Sequence, residues 1–159
     1  MLHRVMPQIV SAVFALSLMA AARADQNAME VPLKNFKFKI DEGHSSLFGL
    51  DEGEGKLFFF TNGTAEAIIK LPEDGDYEVT IKASCDKALN EFAKFKLTLD
   101  GELVGKETAL TAEEAKEYKL SFKAKAGDHK LGIAFTNDAY KENEYDRNLY
   151  VHALSVKKK

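Results

Sequence analysis

The chain has 159 residues, of which 45% are hydrophobic and 30% charged, with no Trp and one Cys. That composition describes one globular domain and excludes a disordered, collagen-like or multi-span membrane protein. Lys+Arg 22 against Asp+Glu 25 gives a formal charge of −3, so the basic surface that a nucleic-acid partner demands is not visible.

The chain opens with a short basic start, Met1 to Arg4. An apolar run follows from Ile9 to Ala22, broken only by Ser11 and Ser17, and ends in the small-x-small triplet Ala22-Arg23-Ala24. Residues 1–24 therefore read as a secretory signal peptide, with residues 25–159 as a single exported β-sandwich domain, secreted, periplasmic or held at the cell surface. About 14 apolar residues at 1.5 Å each reach about 21 Å, short of a hydrocarbon core of about 30 Å, so no membrane span is expected after the leader is removed.

From residue 36 onward the pattern is period two. Phe36, Phe38 and Ile40 alternate with Lys37 and Lys39, Leu57 to Phe60 is an apolar run, and Thr64 to Leu71 is strand-like. Asn62-Gly63 between the last two reads as a two-residue hairpin turn. Pro72 to Asp76 breaks the chain before Tyr77, Val79, Ile81, Ala83 and Cys85, which share one face of a strand. Cys85 is thereby placed inside as an inert thiol, with no intramolecular disulfide partner.

Phe95, Leu97 and Leu99 alternate next, and Asp100-Gly101 turns into a short strand near Leu103. Thr111 to Lys116 has helix-forming residues but is at most two turns, and a plain connection is the preferred reading. Tyr118, Leu120, Phe122 and Ala124 form another strand, Gly127-Asp128 turns, and Leu131, Ile133 and Phe135 face one way. Leu149, Val151 and Ala153 close the domain, and Lys157 to Lys159 reads as a solvated tail. Eight or nine short strands with turn residues between them predict an all-β fold, an antiparallel β-sandwich of jelly-roll type.

No nucleophile elbow, phosphate loop or dinucleotide fingerprint occurs, and His44, His129 and His152 lie far apart with no zinc spacing. Nothing calls for an enzyme. The distinctive segment is 135–151. Its loop holds Asn137, Asp138, Glu142, Asn143, Glu144, Asp146 and Asn148 without a glycine, a concentration of hard oxygen donors suited to Ca²⁺. If the flanking strands pair, Asp138 and Asp146 converge. A solvated acidic loop is the plainer alternative for the same composition. The acidic stretches Asp41-Glu42-Gly43 and Asp51 to Gly55 read as flexible loops, or as a further wall or ion site.

Phe135-Thr136-Asn137-Asp138, followed by Asp146-Arg147-Asn148-Leu149-Tyr150-Val151, resembles the calcium-dependent xylan-binding carbohydrate-binding modules. Leu71 to Val79, Leu99-Asp100-Gly101 and Ala126 to Leu131 extend the resemblance over most of residues 30–156. The resemblance implies a non-catalytic β-sandwich whose loop-bound calcium coordinates vicinal sugar hydroxyls of a xylan-like polysaccharide or oligosaccharide. It implies Asp138 and Asp146 as carboxylate ligands, with Asn137 and Asn148 as amide ligands or their neighbours. Tyr140 and Tyr145 are candidates to stack on sugar, and Arg147 to donate to a hydroxyl or to neutralise an acid. The chain departs from the family where His152 stands in place of an expected Asp. The competing readings are a structural or adhesive sandwich in which calcium only rigidifies loops, and a small hydrolase whose acid and base no spacing singles out.

Overall fold

The computed structural model describes residues 27–39 and 46–159. The leader and cleavage site, Ile40, Asp41-Glu42-Gly43 and His44 lie outside them. Fourteen strand segments occur among the described residues: β1 (Ala28–Glu30), β2 (Lys37–Lys39), β3 (Phe48–Asp51), β4 (Lys56–Phe59), β5 (Gly63–Leu71), β6 (Gly75–Asp86), β7 (Lys94–Leu99), β8 (Glu102–Leu103), β9 (Thr108–Ala109), β10 (Lys116–Ala124), β11 (Gly127–Phe135), β12 (Tyr140–Lys141), β13 (Tyr145–Asp146) and β14 (Asn148–Lys158). The number exceeds eight or nine because several segments have two or three residues, too short for a period of two to register.

Two antiparallel sheets face each other. One has the order β10-β6-β14-β4-β3 with β1 also on β14; the other has β2-β5-β11-β7-β8 with β9 also on β7. Tyr77, Val79, Ile81, Ala83 and Cys85 of β6 and Phe95, Leu97, Leu131, Ile133 and Phe135 of the opposing sheet meet in the core. Each of the Val, Ile, Leu and Phe side chains among them contributes about 1.5–3 kcal/mol on burial. Cys85 is buried, its thiol donates to the Ala112 carbonyl at 3.5 Å, and burial pushes its pKa up, which leaves it unreactive. No described helix is long and apolar enough to cross a membrane.

Of the local expectations, two are corrected and two are met. Asn62-Gly63 does not close a hairpin, because β4 and β5 lie in different sheets and the dipeptide carries the chain across the sandwich. Asp100-Gly101 does turn β7 back onto β8, with both residues at positive φ, as such turns require. The Thr111 to Lys116 stretch is a connection: Ala112 is buried, and the Thr111 N–H donates to the Tyr118 hydroxyl at 3.0 Å. The C-terminal lysines are no free tail, for β14 continues to Lys158, which pairs with Glu73 at 2.6 Å.

The correction that matters most lies in β14. Its register against β6 slips between Val151 and Ala153, leaving His152 as an extra residue. Buried positions consequently run Leu149, Val151, Leu154, Val156, with a step of three across the bulge. Leu154 replaces Ala153 as the inward residue. Tyr150, between inward Leu149 and Val151, stands on the outer face beside Asn148, although it shares sequence parity with inward Leu154.

Candidate functional site

The loop after β11 is built without glycine. Glu144 donates its N–H to the Lys141 carbonyl at 3.0 Å, and Asn143 takes the left-handed conformation inside that turn, which Asn tolerates better than most residues. The two-residue strands β12 and β13 then pair Tyr140 with Asp146 and Lys141 with Tyr145. Strand β11 does not pair with β14, since they belong to different sheets. Instead this small hairpin brings the segment's two ends together, and the Arg147 N–H closes it on the Ala139 carbonyl at 2.9 Å.

On one face of the hairpin a cavity of about 570 Å³ opens, lined by Leu47, Phe60, Thr61, Asp138, Tyr140, Asp146, Asn148 and Tyr150. Asp138 is held by its own N–H donating to Asn62 Oδ1 at 2.8 Å. Burial, and then the nearby Asp146 charge, push its pKa up. Asn148 donates through Nδ2 to Asp86 Oδ2 at 3.0 Å. Yet Asp138 Oδ1 and Asn148 Oδ1 are both buried and accept no hydrogen bond. An orphaned buried oxygen costs about 1–3 kcal/mol. Two in one cavity, beside a third oxygen group in Asp146, form an electron-rich pocket for a hard cation.

The other expected residues are placed elsewhere. Asn137 spends its amide on the backbone, accepting from the Lys94 N–H at 2.6 Å and donating to the Phe92 carbonyl at 3.0 Å. Tyr145 lies on the opposite face of the hairpin from Tyr140, paired with Lys141. Arg147, expected either to donate to a sugar hydroxyl or to neutralise an acid, with a structural ion pair as the plainer alternative, is an interior clamp. It is 4% exposed, and its guanidinium donates to the carbonyls of Ala88, Glu91 and Asn137 while pairing with the Glu91 carboxylate at 3.7 Å. The Ala88 and Glu91 carbonyls flank a tight turn whose Leu89 and Asn90 both have positive φ.

Calcium takes six to eight oxygen ligands. Asp138, Asp146 and Asn148 supply three side-chain donors, and backbone carbonyls, water or a ligand's hydroxyls would have to supply the rest. No group of three His, Cys, Asp or Glu side chains in metal-binding arrangement occurs among the described residues. A donor set of two carboxylates and one amide disfavours the softer transition metals and suits a hard cation with open positions.

The model of the Ca-dependent, xylan-binding carbohydrate-binding module family matches residues 78–159, just over half of the chain. The chain belongs to this family. No curated protein matches the module. Among solved structures it resembles a family 36 carbohydrate-binding module of a multidomain xylanase from the hindgut metagenome of Trinervitermes trinervoides, at TM-score 0.60 and 14% identity over 82% of this chain and 96% of that one. A family 36 module in complex with calcium and xylotriose gives TM-score 0.56 and 15% identity over 80% and 96%. A family 35 module from Paenibacillus barcinonensis gives 0.53 and 16% over 83% and 98%. At these identities the likeness to the solved structures is one of fold.

The module's cavity also contains residues that sequence reasoning did not single out. Phe60 is 38% exposed and meets the Tyr150 ring edge-on, with centroids 6.2 Å apart. Both signals were in the sequence, since Phe60 ends an apolar run and Tyr150 alternates with core residues, but each fitted a core position equally well. Tyr150 donates to Asp86 at 2.7 Å. Burial, and then this bond, push its pKa above the ordinary 10. His152 meets Ser84 Oγ at 2.7 Å, and burial followed by Lys56 and Lys82 pushes its pKa down.

Proposed function

We propose that the mature chain is an exported, non-catalytic module that binds xylan-like polysaccharide through a calcium ion held by Asp138, Asp146 and Asn148. The observation that carries this reading is the pair of orphaned buried oxygens, Asp138 Oδ1 and Asn148 Oδ1, in one cavity with Asp146. Calcium would supply a Lewis-acidic centre that exchanges water for hydroxyls. The chain's own residues do the rest. Asp138 and Asp146 provide negative charge and oxygen donors, Asn148 a neutral donor, and Tyr140 and Phe60 present apolar rings on which the flat side of a sugar packs. Such a site suits weak, reversible capture, and family membership and the calcium-and-xylotriose complex of a similar fold support that substrate class.

The test is affinity electrophoresis in xylan gels, with calcium and with chelator. Retardation should require calcium and disappear in Asp138→Ala and Asp146→Ala, while circular dichroism in chelator matches the parent. Retardation that persists in chelator would reject the calcium mechanism. Calcium binding without retardation on any plant or algal polysaccharide would favour an ion that only stiffens the loop. Export is tested separately by the mature N-terminus in the native host, expected at Asp25.

A further inference from the structure

Asn148 can hold a cation only if its carbonyl oxygen, rather than its NH₂ group, faces the cavity. An amide has no intrinsic preference between the two ends, so something outside the cavity must choose. Asp86 is directly opposite Asn148 in the β6–β14 register. Its Oδ2 accepts from Asn148 Nδ2 at 3.0 Å and from the Tyr150 hydroxyl at 2.7 Å. A carboxylate only accepts, so it fixes the amide with Nδ2 toward β6 and Oδ1 toward the cavity, where that oxygen is buried and unpartnered. Asp86 itself does not line the cavity, and it ends β6 next to the turn whose Ala88 carbonyl Arg147 holds. The carboxylate is therefore anchored from the sheet on one side and from the clamped turn on the other.

We propose that Asp86 is a positioning residue, which sets calcium affinity by locking the Asn148 amide in its oxygen-inward orientation without touching the ion. The inference rests on the calcium reading above. Outer carboxylates that orient metal ligands typically change metal affinity by about 10- to 100-fold when removed. Calorimetric titration with Ca²⁺ alone, with no sugar present, gives the readout. Asp86→Asn should weaken calcium binding by roughly tenfold, because an amide opposite an amide no longer dictates which end turns inward. Combining it with Asn148→Asp reverses the pair: the donor then sits on β6 and an oxygen faces the cavity in either orientation. That double exchange should restore calcium affinity to the parent's level. Melting curves in chelator establish that each variant folds, and Tyr150→Phe, which leaves the Asp86–Asn148 bond in place, should lose clearly less affinity than Asp86→Asn.

Two results would overturn the proposal while leaving the calcium reading intact. One is Asp86→Asn binding calcium as the parent does. The other is the double exchange binding as weakly as Asp86→Asn, which would make Asp86 a direct ligand. A parent that binds no calcium would overturn both, and the Asp138→Ala control, expected to abolish the heat of binding, separates the cases.

Discussion

The two ends of the sandwich, reached by the two ends of β11, both gather acids from loops, and they treat them in opposite ways. At the Gly127 end Asp100 is fully engaged: Oδ1 accepts from the Lys130 N–H at 2.8 Å, and Oδ2 meets His129 Nδ1 at 2.7 Å. The other His129 nitrogen meets the Lys125 carbonyl at 2.9 Å, so both ring nitrogens face acceptors, an arrangement that favours the protonated ring. At the Phe135 end Asp138 and Asn148 each keep an oxygen that nothing among the described residues satisfies. Satisfied polar groups lock a turn. Unsatisfied buried ones mark where a ligand is expected.

The largest break in this comparison comes from Arg147, the one charged group at the cavity end that is wholly committed to the fold. Arg147→Ala strands the carbonyls of Ala88, Glu91 and Asn137 and should cost about 3–5 kcal/mol in urea unfolding, with calcium absent as well as present. A loss seen only with calcium would show that the clamp serves the ion instead.

Asp138→Ala should act in the opposite sense. In chelator it removes a crowded, partly buried carboxylate and leaves stability near the parent's. With calcium at several to a hundred times its Kd the parent gains about 1–3 kcal/mol and the variant gains none. Melting curves with and without millimolar calcium read the difference, and Asp146→Ala combined with it should add little.

Tyr140 is 65% exposed, so Tyr140→Ala should leave stability unchanged. Loss of its ring from the sugar should weaken polysaccharide binding by about tenfold, or about 1.4 kcal/mol, without altering calcium titration. Tyr145→Ala, on the far side of the hairpin, should do neither.

The smallest effect belongs to the satisfied end. Its two partners shift in opposite directions. Hydrogen bonds from the Lys130 N–H and from His129 hold Asp100 below its ordinary 3.8, while Asp100 and then the Lys125 carbonyl hold His129 above its ordinary 6.5. The raised His129 contributes stability that is complete below 6.5 and lost as pH rises through its folded value. The lowered Asp100 contributes above 3.8 and is lost as pH falls through its folded value. The pair therefore stabilises most between those ordinary values. Since it faces solvent, Asp100→Asn should cost less than about 1 kcal/mol, and the cost measured by urea unfolding near pH 5 should shrink toward pH 8.

The longer strands, the inward faces of β6, β7 and β11, buried Cys85 and the acid-rich segment 135–151 were legible in the sequence, because period-two burial and turn chemistry are local. The family spelling likewise pointed to Asp138, Asp146 and Asn148 as candidate ligands. Tertiary structure decided which of the remaining polar residues face the cavity. Asn137 and Arg147 stand within that same spelling, yet both are spent on carbonyls and N–H groups of a turn some 50 residues away in sequence. Tyr150 alternates with buried Leu149 and Val151 and so faces out, while the His152 bulge lets Leu154 and Val156, which share its sequence parity, face in; Phe60 likewise alternates with buried Leu57 and Phe59. Asp86 gives no local sign of its role at all. Its contact with Asn148 depends on the register of β6 and β14, a pairing between distant segments that packing of the two sheets fixes and that no period along the chain encodes.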